Sequence, residues 1–431
     1  MAKEENYSIL TRLIYGEAHT EEWDFGHHVI PPLTSSTTYR LKSVERGSQG
    51  FSQIGNLPDT AGFDPIYVYS RMGDPVIDML QNALATAEKG ECAVTFATGM
   101  AAVHAAVGIF LKQGSEIICH QMVYGCTYSL FTTWLKNLGI KVHFADLSKP
   151  RSFIDLINEN TKVIYLETPA NPTLEMTDIS AVTSIIKEKN ETRSAEQQIY
   201  SVIDNTFSTP YTQRPLEHGI DVIVHSLTKG ICGFGTDMGG AVITSNKFFE
   251  QLILHRKDFG ASLSPKSAWH ILVYGISTLG LRIERQQTTA LRIAEFLEGH
   301  PAIESVSYPG LESYPQRELA LRQLRNYRGE FSPGFMVYFT LKGATPGDSR
   351  ANGAKLMNYI ADNSYAITLA VSLGQLRTLI EHPGSMTHSA YSAEEQINRG
   401  LHPGGIRLAV GIEEAEDIMK DLETALQFIS Q

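Results

Sequence analysis

The stretch HSLTKGICGFGTDMGGAV, residues 225–242, places one lysine, Lys229, directly before a glycine-rich run. A glycine-rich loop that binds a dinucleotide follows a strand and opens a helix, because the helix N-terminus holds the pyrophosphate. A strand precedes this run, but the residues after Gly240 are AVITS, which are typical of another strand. The pattern therefore argues against a dinucleotide loop, and Lys229 itself needs an explanation.

The composition is that of a globular protein with room for two or three domains, since 431 residues include 42% hydrophobic and 19% charged ones. A net charge of -11 disfavours nucleic acid and anionic membranes as partners. The N-terminus lacks the apolar core of a signal peptide. The 4 cysteines form neither a close metal-binding pair nor a disulfide framework. We therefore expect a cytoplasmic protein with no metal site, no nucleic acid and no membrane partner.

Hydrophobic periodicity divides the chain into three parts. Residues 1–65 are weakly periodic, and we interpret them as an N-terminal arm and loop. In residues 66–265, helical patterns alternate with β-rich runs, which predicts an α/β layer with a largely parallel sheet. Residues 266–431 carry long helices with a few strands, which predicts a smaller α+β domain.

Lys229 follows an apolar strand and lies among serine, threonine, glycine and cysteine. A lysine in a loop is most often solvated. A partly desolvated lysine has a different use, because its lowered pKa allows it to form a Schiff base with an aldehyde. Ser226 and Thr228 flank Lys229 and offer hydroxyl groups to a phosphate on the same cofactor.

Two further clusters lie where a strand ends. Asp204, in DNTFSTP, either caps a turn or keeps a pyridine nitrogen protonated. Gly99 and Met100 lie between a strand and a helix, where backbone amides bind phosphate, although an ordinary tight turn is the alternative. With Lys229, these clusters supply groups for an aldehyde, a ring nitrogen and a phosphate. Together they predict a site for pyridoxal 5′-phosphate.

Short motifs along most of the chain after residue 60 supply a second argument. They are YSRMGDP (69–75), TGMAA (98–102), YGCT (124–127), ETPANPTLE (167–175), DNTFSTPYTQRPLEHGID (204–221), HSLTKG (225–230), SLG (372–374) and GIRLAVG (405–411). In this order they resemble the motifs of the Cys/Met metabolism family of pyridoxal-phosphate-dependent enzymes, the trans-sulfuration enzymes. The resemblance implies the fold type I transferase-like architecture, an α/β large domain with a mostly parallel seven-stranded sheet and a smaller α+β C-terminal domain.

The resemblance also implies roles for individual residues. The cofactor is expected to contact Lys229, Asp204, Gly99, Met100, Ser226, Thr228, Asn171 and Tyr124. Of these, Lys229 binds the aldehyde, Asp204 the ring nitrogen, and Tyr124 stacks on the ring as an acid or base. Tyr69 and Arg71 are expected to reach the phosphate of a neighbouring subunit, in a dimer that is usually paired into a homotetramer.

The expected substrate site contains Ser372 and Arg407, whose planar guanidinium matches the carboxylate of an amino acid. A charge on a strand edge is the alternative for Arg407. Cys126 and Val371, with the segments 257–258 and 382–391, resemble the methionine-cleaving lyases of the family. A valine suits a thioether, whereas an acid at that position suits a distal ammonium. The alternative for Cys126 is a small buried residue.

These features predict α,γ-elimination of L-methionine to methanethiol, 2-oxobutanoate and ammonia. A γ-replacement enzyme, such as an O-acetylhomoserine sulfhydrylase or a cystathionine γ-synthase, and a cystathionine γ-lyase share every cofactor residue and remain alternatives. A non-catalytic interaction protein is disfavoured because lysine, aspartate, tyrosine and arginine are all present. The chain departs from the family pattern at Asp74, where asparagine is usual, in segment 230–240, and in the longer loop before Tyr69.

Overall fold

The computed structural model describes residues 7–15, 29–57, 65–149, 151–389 and 392–430. Two β-sheets organise this part of the chain. The strands are β1 (Cys92–Phe96), β2 (Glu116–His120), β3 (Lys141–Ala145), β4 (Thr161–Glu167), β5 (Tyr200–Asp204), β6 (Val222–Ser226), β7 (Gly240–Thr244), β8 (Ile303–Ser307), β9 (Met336–Leu341), β10 (Ile367–Leu369), β11 (Thr378–Glu381) and β12 (Gly405–Ala409).

Helices cover both sheets. The α-helices are α1 (Ile9–Tyr15), α2 (Val44–Ser52), α3 (Pro75–Glu88), α4 (Gly99–Gly108), α5 (Gly125–Ser129), α6 (Ile179–Asn190), α7 (Thr209–Thr212), α8 (Phe249–Phe259), α9 (Pro265–His270), α10 (Leu279–Glu298), α11 (Arg317–Gln323), α12 (Pro346–Asn363), α13 (Ala393–Asn398) and α14 (Ala415–Ile429). Two π-helical segments, Leu130–Leu135 and Ile271–Gly275, continue α5 and α9. The 3₁₀ turns are Ile154–Leu156, Ala195–Gln197, Pro215–His218, Asn246–Phe248, Ile276–Thr278 and Pro383–Ser385.

The larger sheet has 7 strands in the order β1-β7-β6-β5-β4-β2-β3. The neighbouring strands β6, β5, β4, β2 and β3 run parallel to one another, whereas β7 runs antiparallel to both β1 and β6. Every residue of β1, β2 and β7 is buried, as expected for a sheet with helices on both faces. The prediction of a mostly parallel seven-stranded sheet is confirmed. The first four residues of the AVITS run belong to β7, so a strand, and no helix, directly follows the glycine-rich stretch.

The smaller sheet has 5 strands in the order β10-β11-β12-β9-β8 and is mainly antiparallel. Helices α10, α12 and α14 bury their apolar faces against it around a second hydrophobic core. This confirms a smaller α+β C-terminal domain. The predicted boundary after residue 265 falls at the start of α9.

The predicted arm contains helices that its weak periodicity did not reveal. Helix α1 places Leu13, 2% exposed, in the core beside α3. The side chain of Ser43 caps α2 by accepting from the Arg46 amide. The burial of Leu13 stabilises α1, and the Ser43 cap stabilises α2. A count of hydrophobic periodicity detects neither feature.

Within the described residues, no helix has the length and apolarity needed to cross a membrane, and no cluster of histidine, cysteine, aspartate or glutamate suits a metal ion. The strands β4, β5 and β6 end side by side at Glu167, Asp204 and Ser226. Ligands of open parallel sheets bind at this edge. The fold thus brings three of the sequence motifs together there.

Candidate active site

Lys229 lies in the turn after β6 and contacts the smaller domain. Its Nζ donates a hydrogen bond to Ser372 Oγ at 2.8 Å. Ser372 has a φ of 90°, which is unfavourable for a residue with a Cβ and is often found at functional sites. Gly374 has a φ of 74°, and a Cβ there would lie 2.4 Å from the Gly230 nitrogen. The SLG loop therefore packs directly on the lysine turn.

The surroundings of Lys229 favour its neutral amine. The side chain is half-buried, not fully solvated. Burial lowers the pKa of Lys229, and the charge of Arg407 lowers it further, while Glu381, Asp204 and Cys126 act in the opposite direction. A neutral amine is the nucleophile that an aldehyde requires.

A Gly374→Ala substitution should destabilise the fold and reduce activity together. A left-handed backbone costs a non-glycine residue roughly 1–2 kcal/mol, and here the new methyl group also meets the Gly230 backbone. Urea unfolding and steady-state assays measure the two effects. The matched control is Gly329→Ala, with a φ of 78° and no atom within 4 Å of the added Cβ. Equal effects of the two substitutions would contradict the close packing of the SLG loop.

The N-terminus of α4 and the end of β6 form the predicted phosphate end of the site. Thr98 satisfies the Ala101 amide with its side chain, at 3.1 Å, and the Ala102 amide with its carbonyl. Among the residues that the structure describes, the amides of Gly99 and Met100 have no acceptor and remain for a ligand. A Cβ on Gly99 would lie 2.8 Å from the Ser226 Cβ, so glycine permits this close approach.

Thr228 also lies at this end of the site. Its Oγ1 accepts a hydrogen bond from the Gly239 amide at 3.1 Å. Its hydroxyl is therefore directed toward the backbone ahead of β7, in the glycine-rich run itself. The amides, the Ser226 hydroxyl and a helix N-terminus are a donor set that suits a phosphate dianion.

Asp204 is the last residue of β5, and its carboxyl group is held by Thr206. Its Oδ1 accepts from the Thr206 amide at 2.9 Å, which is the turn-capping role considered for it. The Thr206 side chain gives the Asp204 carboxyl group a second hydrogen bond. Burial raises the pKa of Asp204, against hydrogen bonds from Thr206 and the charges of His225 and Lys229. A carboxylate held by Thr206 at the end of β5, in the field of Lys229, fits a protonated ring nitrogen, so the residues present fit the predicted cofactor.

Arg407 is buried, with 3% exposure, and is not a strand-edge charge. Its Nη1 contacts Asn171 Oδ1 at 3.1 Å and Glu381 Oε1 at 3.0 Å, and its Nη2 donates to the Ser372 carbonyl at 2.8 Å. Its Nε has no partner among the described residues. Since a guanidinium has five N–H donors, the Nε and one Nη2 hydrogen remain for a carboxylate.

Glu381 is a site residue that the sequence reasoning missed. It lies on β11 directly opposite Arg407 on β12 and is fully buried. Its Oε1 also accepts from Thr387 Oγ1 at 2.8 Å. Burial raises the pKa of Glu381, although Arg407, Thr387 and Lys229 counteract that effect. The available signal was an acid in the apolar strand TLIE, but its partner depends on strand register.

Tyr124 and Cys126 lie at the start of α5. Tyr124 is 36% exposed, and Cys126 is exposed as well, so the interpretation of Cys126 as a small buried residue is wrong. Burial, followed by a hydrogen bond with Cys126, raises the pKa of Tyr124 well above its ordinary value. A Cβ on Gly125 would lie 2.6 Å from the Thr387 carbonyl. Segment 382–389 therefore packs on α5; residues 390 and 391 of that motif lie outside the described residues.

The structure does not bring every predicted residue to Lys229. Arg71 is exposed, donates to the Lys257 carbonyl, and lies 5.5 Å from the Tyr69 ring centroid. Lys257 pairs with Asp258 at 3.2 Å. Val371 is 54% exposed, next to the Ser372 that contacts Lys229. Within one chain, Arg71 thus contacts Lys257 and Ser262 instead of the lysine turn, and Tyr69 pairs with Thr38.

The departures from the family pattern have structural explanations. Asp74 caps α3 through the Val76 amide at 2.9 Å and accepts from Tyr39 and Thr34 hydroxyls at 2.6 and 3.1 Å. Because three donors point at this side chain, the two oxygens of a carboxylate satisfy them better than the single oxygen of the usual asparagine. In segment 230–240, a Cβ on Gly230 would lie 2.7 Å from Thr209 Cγ2, so glycine permits the close approach of Thr209. Part of the longer loop, residues 58–64, lies outside the described residues.

Comparisons with known proteins agree with this arrangement. A family profile described as Cys/Met metabolism PLP-dependent enzyme matches residues 11–427. The chain is 38% identical to an L-methionine γ-lyase of Fusobacterium nucleatum subsp. polymorphum, over 92% of this chain and 93% of the relative. It is 34% identical to an O-acetyl-L-homoserine sulfhydrylase of Leptospira meyeri, over 92% of each. A crystal structure of cystathionine γ-synthase from Xanthomonas oryzae pv. oryzae superposes with a TM-score of 0.84, at 32% identity over 98% of this chain and 99% of that one.

Proposed function

This chain belongs to the Cys/Met metabolism PLP-dependent enzyme family, and from that premise we propose that it cleaves L-methionine by α,γ-elimination. The products are methanethiol, 2-oxobutanoate and ammonia. The observation that carries the proposal is Val371, an apolar residue beside the serine that contacts Lys229. A valine there suits a thioether and offers no partner to a distal ammonium.

Bound pyridoxal 5′-phosphate supplies an electron sink for the pair released when a Cα–H bond breaks. The protein supplies orientation and proton transfer. The Nε and Nη2 donors of Arg407 bind the substrate carboxylate and fix the direction of the Cα–H bond. The neutral amine of Lys229 removes the Cα proton, and Asp204 keeps a proton on the ring nitrogen. A second proton then leaves Cβ, the electron pair of that bond expels the γ-sulfur, and Tyr124 donates a proton to the departing sulfur. One water molecule is consumed when the remaining carbon chain is released as 2-oxobutanoate and ammonia.

The deciding experiment measures 2-oxobutanoate released from L-methionine by the holoenzyme without added thiol or sulfide. Release supports the proposal. Product formed only from an O-acylated homoserine with sulfide present would instead assign a γ-replacement activity. Cystathionine is tested in the same assay, because a cystathionine lyase also releases 2-oxobutanoate. No product from any of the three substrates would identify a non-catalytic relative.

A Val371→Glu substitution should lower kcat/KM for L-methionine by up to about 10-fold, because it places an unpaired carboxylate beside a thioether at a position that is 54% exposed and keeps part of its hydration. Relative use of cystathionine, which carries a distal ammonium, should rise. Parallel assays with the two substrates measure this shift. Val371→Leu keeps an apolar side chain and serves as the control. A Val371→Glu enzyme with unchanged preference would show that position 371 does not contact the substrate.

We further propose a cytoplasmic homotetramer built from dimers with shared sites, in which Tyr69 and Arg71 complete the site of the adjacent subunit. Support comes from the contacts of Arg71, which are with the Lys257 carbonyl and the Tyr69 ring and not with Lys229. The exposure of the Tyr69 and Arg71 side chains also supports the proposal.

Mixing Arg71→Ala with Lys229→Ala chains should restore activity that neither variant has alone. Each hybrid dimer contains one site with both native residues, so random exchange predicts about a quarter of wild-type activity. Mass spectrometry of differently tagged chains establishes that exchange occurs. Hybrid dimers without activity would rule out shared sites.

A further inference from the structure

Glu167 is a buried carboxylate to which neither the sequence nor the proposed mechanism assigns a role. It is the last residue of β4, is 6% exposed, and pairs in register with Asp204, the last residue of β5. Residues in register on adjacent parallel strands point to the same side of the sheet. Two carboxylates therefore lie side by side at the ring-nitrogen end of the site. Burial of one carboxylate beside another is unfavourable.

The contact that Glu167 makes is with the backbone of Tyr124. Both of its carboxylate oxygens accept from the Tyr124 amide, each at 3.0 Å. Tyr124 is the N-cap of α5, with non-helical φ and ψ of -51° and 136°, and its own side chain caps no amide. The amide thus ties Tyr124 to the end of β4, next to Asp204.

A neutral acceptor would satisfy the Tyr124 amide with a smaller desolvation free energy than a buried carboxylate requires. Burial and then the charge of Asp204 raise the pKa of Glu167, and the Tyr124 amide acts in the opposite direction. Both oxygens of Glu167 nevertheless converge on this one amide, which restricts the backbone of Tyr124. The arrangement therefore favours a firm backbone anchor over a simple helix cap.

We propose that Glu167 is a positioning residue that fixes Tyr124 over the cofactor ring by anchoring its backbone amide. The inference rests on the role proposed above for Tyr124, but not on the choice of substrate. The ring of Tyr124 is 36% exposed, so side-chain packing alone gives it limited restraint. The anchor links the ring position to the same sheet edge that carries Asp204.

The test compares holoenzymes with Glu167→Met, which keeps side-chain length but removes the acceptor, and Glu167→Gln, which retains an acceptor oxygen. Glu167→Met should lower kcat for L-methionine by about 10- to 100-fold with little change in KM, since the Tyr124 amide is left without its acceptor. It should also weaken the visible circular dichroism of the bound cofactor, measured without substrate. Glu167→Gln should recover most of both signals. Glu116→Gln, a buried glutamate at the start of β2 that contacts His143, is the control and should change neither.

A Tyr124→Ala background shows whether Glu167 acts through Tyr124. There, Glu167→Met should change the cofactor dichroism by less than about twofold. An undiminished effect in that background, or an unchanged signal in Glu167→Met alone, would overturn the proposal. If Glu167→Met does not fold, the same comparison with Glu167→Gln and Glu167→Ala decides it. Because the dichroism needs no substrate, it separates this inference from a wrong assignment of methionine.

Discussion

Lys229→Ala should lose methionine elimination by about 10⁴-fold or more, because the substitution removes the cofactor-binding amine and the base for the Cα proton together. The physical basis is the position of the amine. It lies 2.8 Å from Ser372 Oγ, among groups that lower its pKa through burial and the charge of Arg407. The lowered pKa increases the share of neutral amine at a given pH, and acidification decreases that share.

Borohydride reduction of the wild-type holoenzyme should abolish its visible band and place the reduced cofactor on the peptide that contains Lys229. The control is Lys247→Ala, a lysine that packs over the rings of Tyr200 and Phe248 at 5.2 and 5.1 Å. That variant should retain both label and activity. A label on another lysine would show that the cofactor is bound elsewhere.

The architecture was predictable because each motif combined a strand pattern with a polar residue where the strand ends. Asp204 and Ser226 close β5 and β6, and Gly99 opens a helix after β1. Parallel strands bring their carboxyl ends to one edge, so local patterns sufficed to bring these residues together. The family profile confirms the pyridoxal-phosphate cofactor.

Residues that depend on pairing between strands were not predictable in this way. Glu381 faces Arg407, and Glu167 neighbours Asp204, only through register between segments far apart in the chain. The left-handed φ of Ser372 likewise follows from packing of its loop on the lysine turn. A local pattern shows that an acid lies in an apolar strand, but not which side chain it meets.

Tyr124→Phe should slow methionine elimination by roughly 10²- to 10⁴-fold, the usual effect of removing a positioned acid, while the cofactor remains bound. Burial first, and then Cys126, Glu167 and Glu381, raise the pKa of Tyr124 above its ordinary value. The hydroxyl therefore stays protonated at neutral pH and loses its proton only when the pH rises through that raised value. It is thus in the correct state to protonate a departing thiolate.

The measurement is kcat for L-methionine together with the visible spectrum of the holoenzyme, which reports retained cofactor. Tyr128→Phe, one helical turn further along α5 with its ring 5.3 Å from that of Phe144, is the matched control and should keep near wild-type activity. A substrate with a better leaving group at Cγ should lose less from Tyr124→Phe, since its sulfur needs less help from an acid. Equal losses of kcat for good and poor leaving groups would indicate that Tyr124 acts only by stacking on the ring. Another group would then protonate the sulfur.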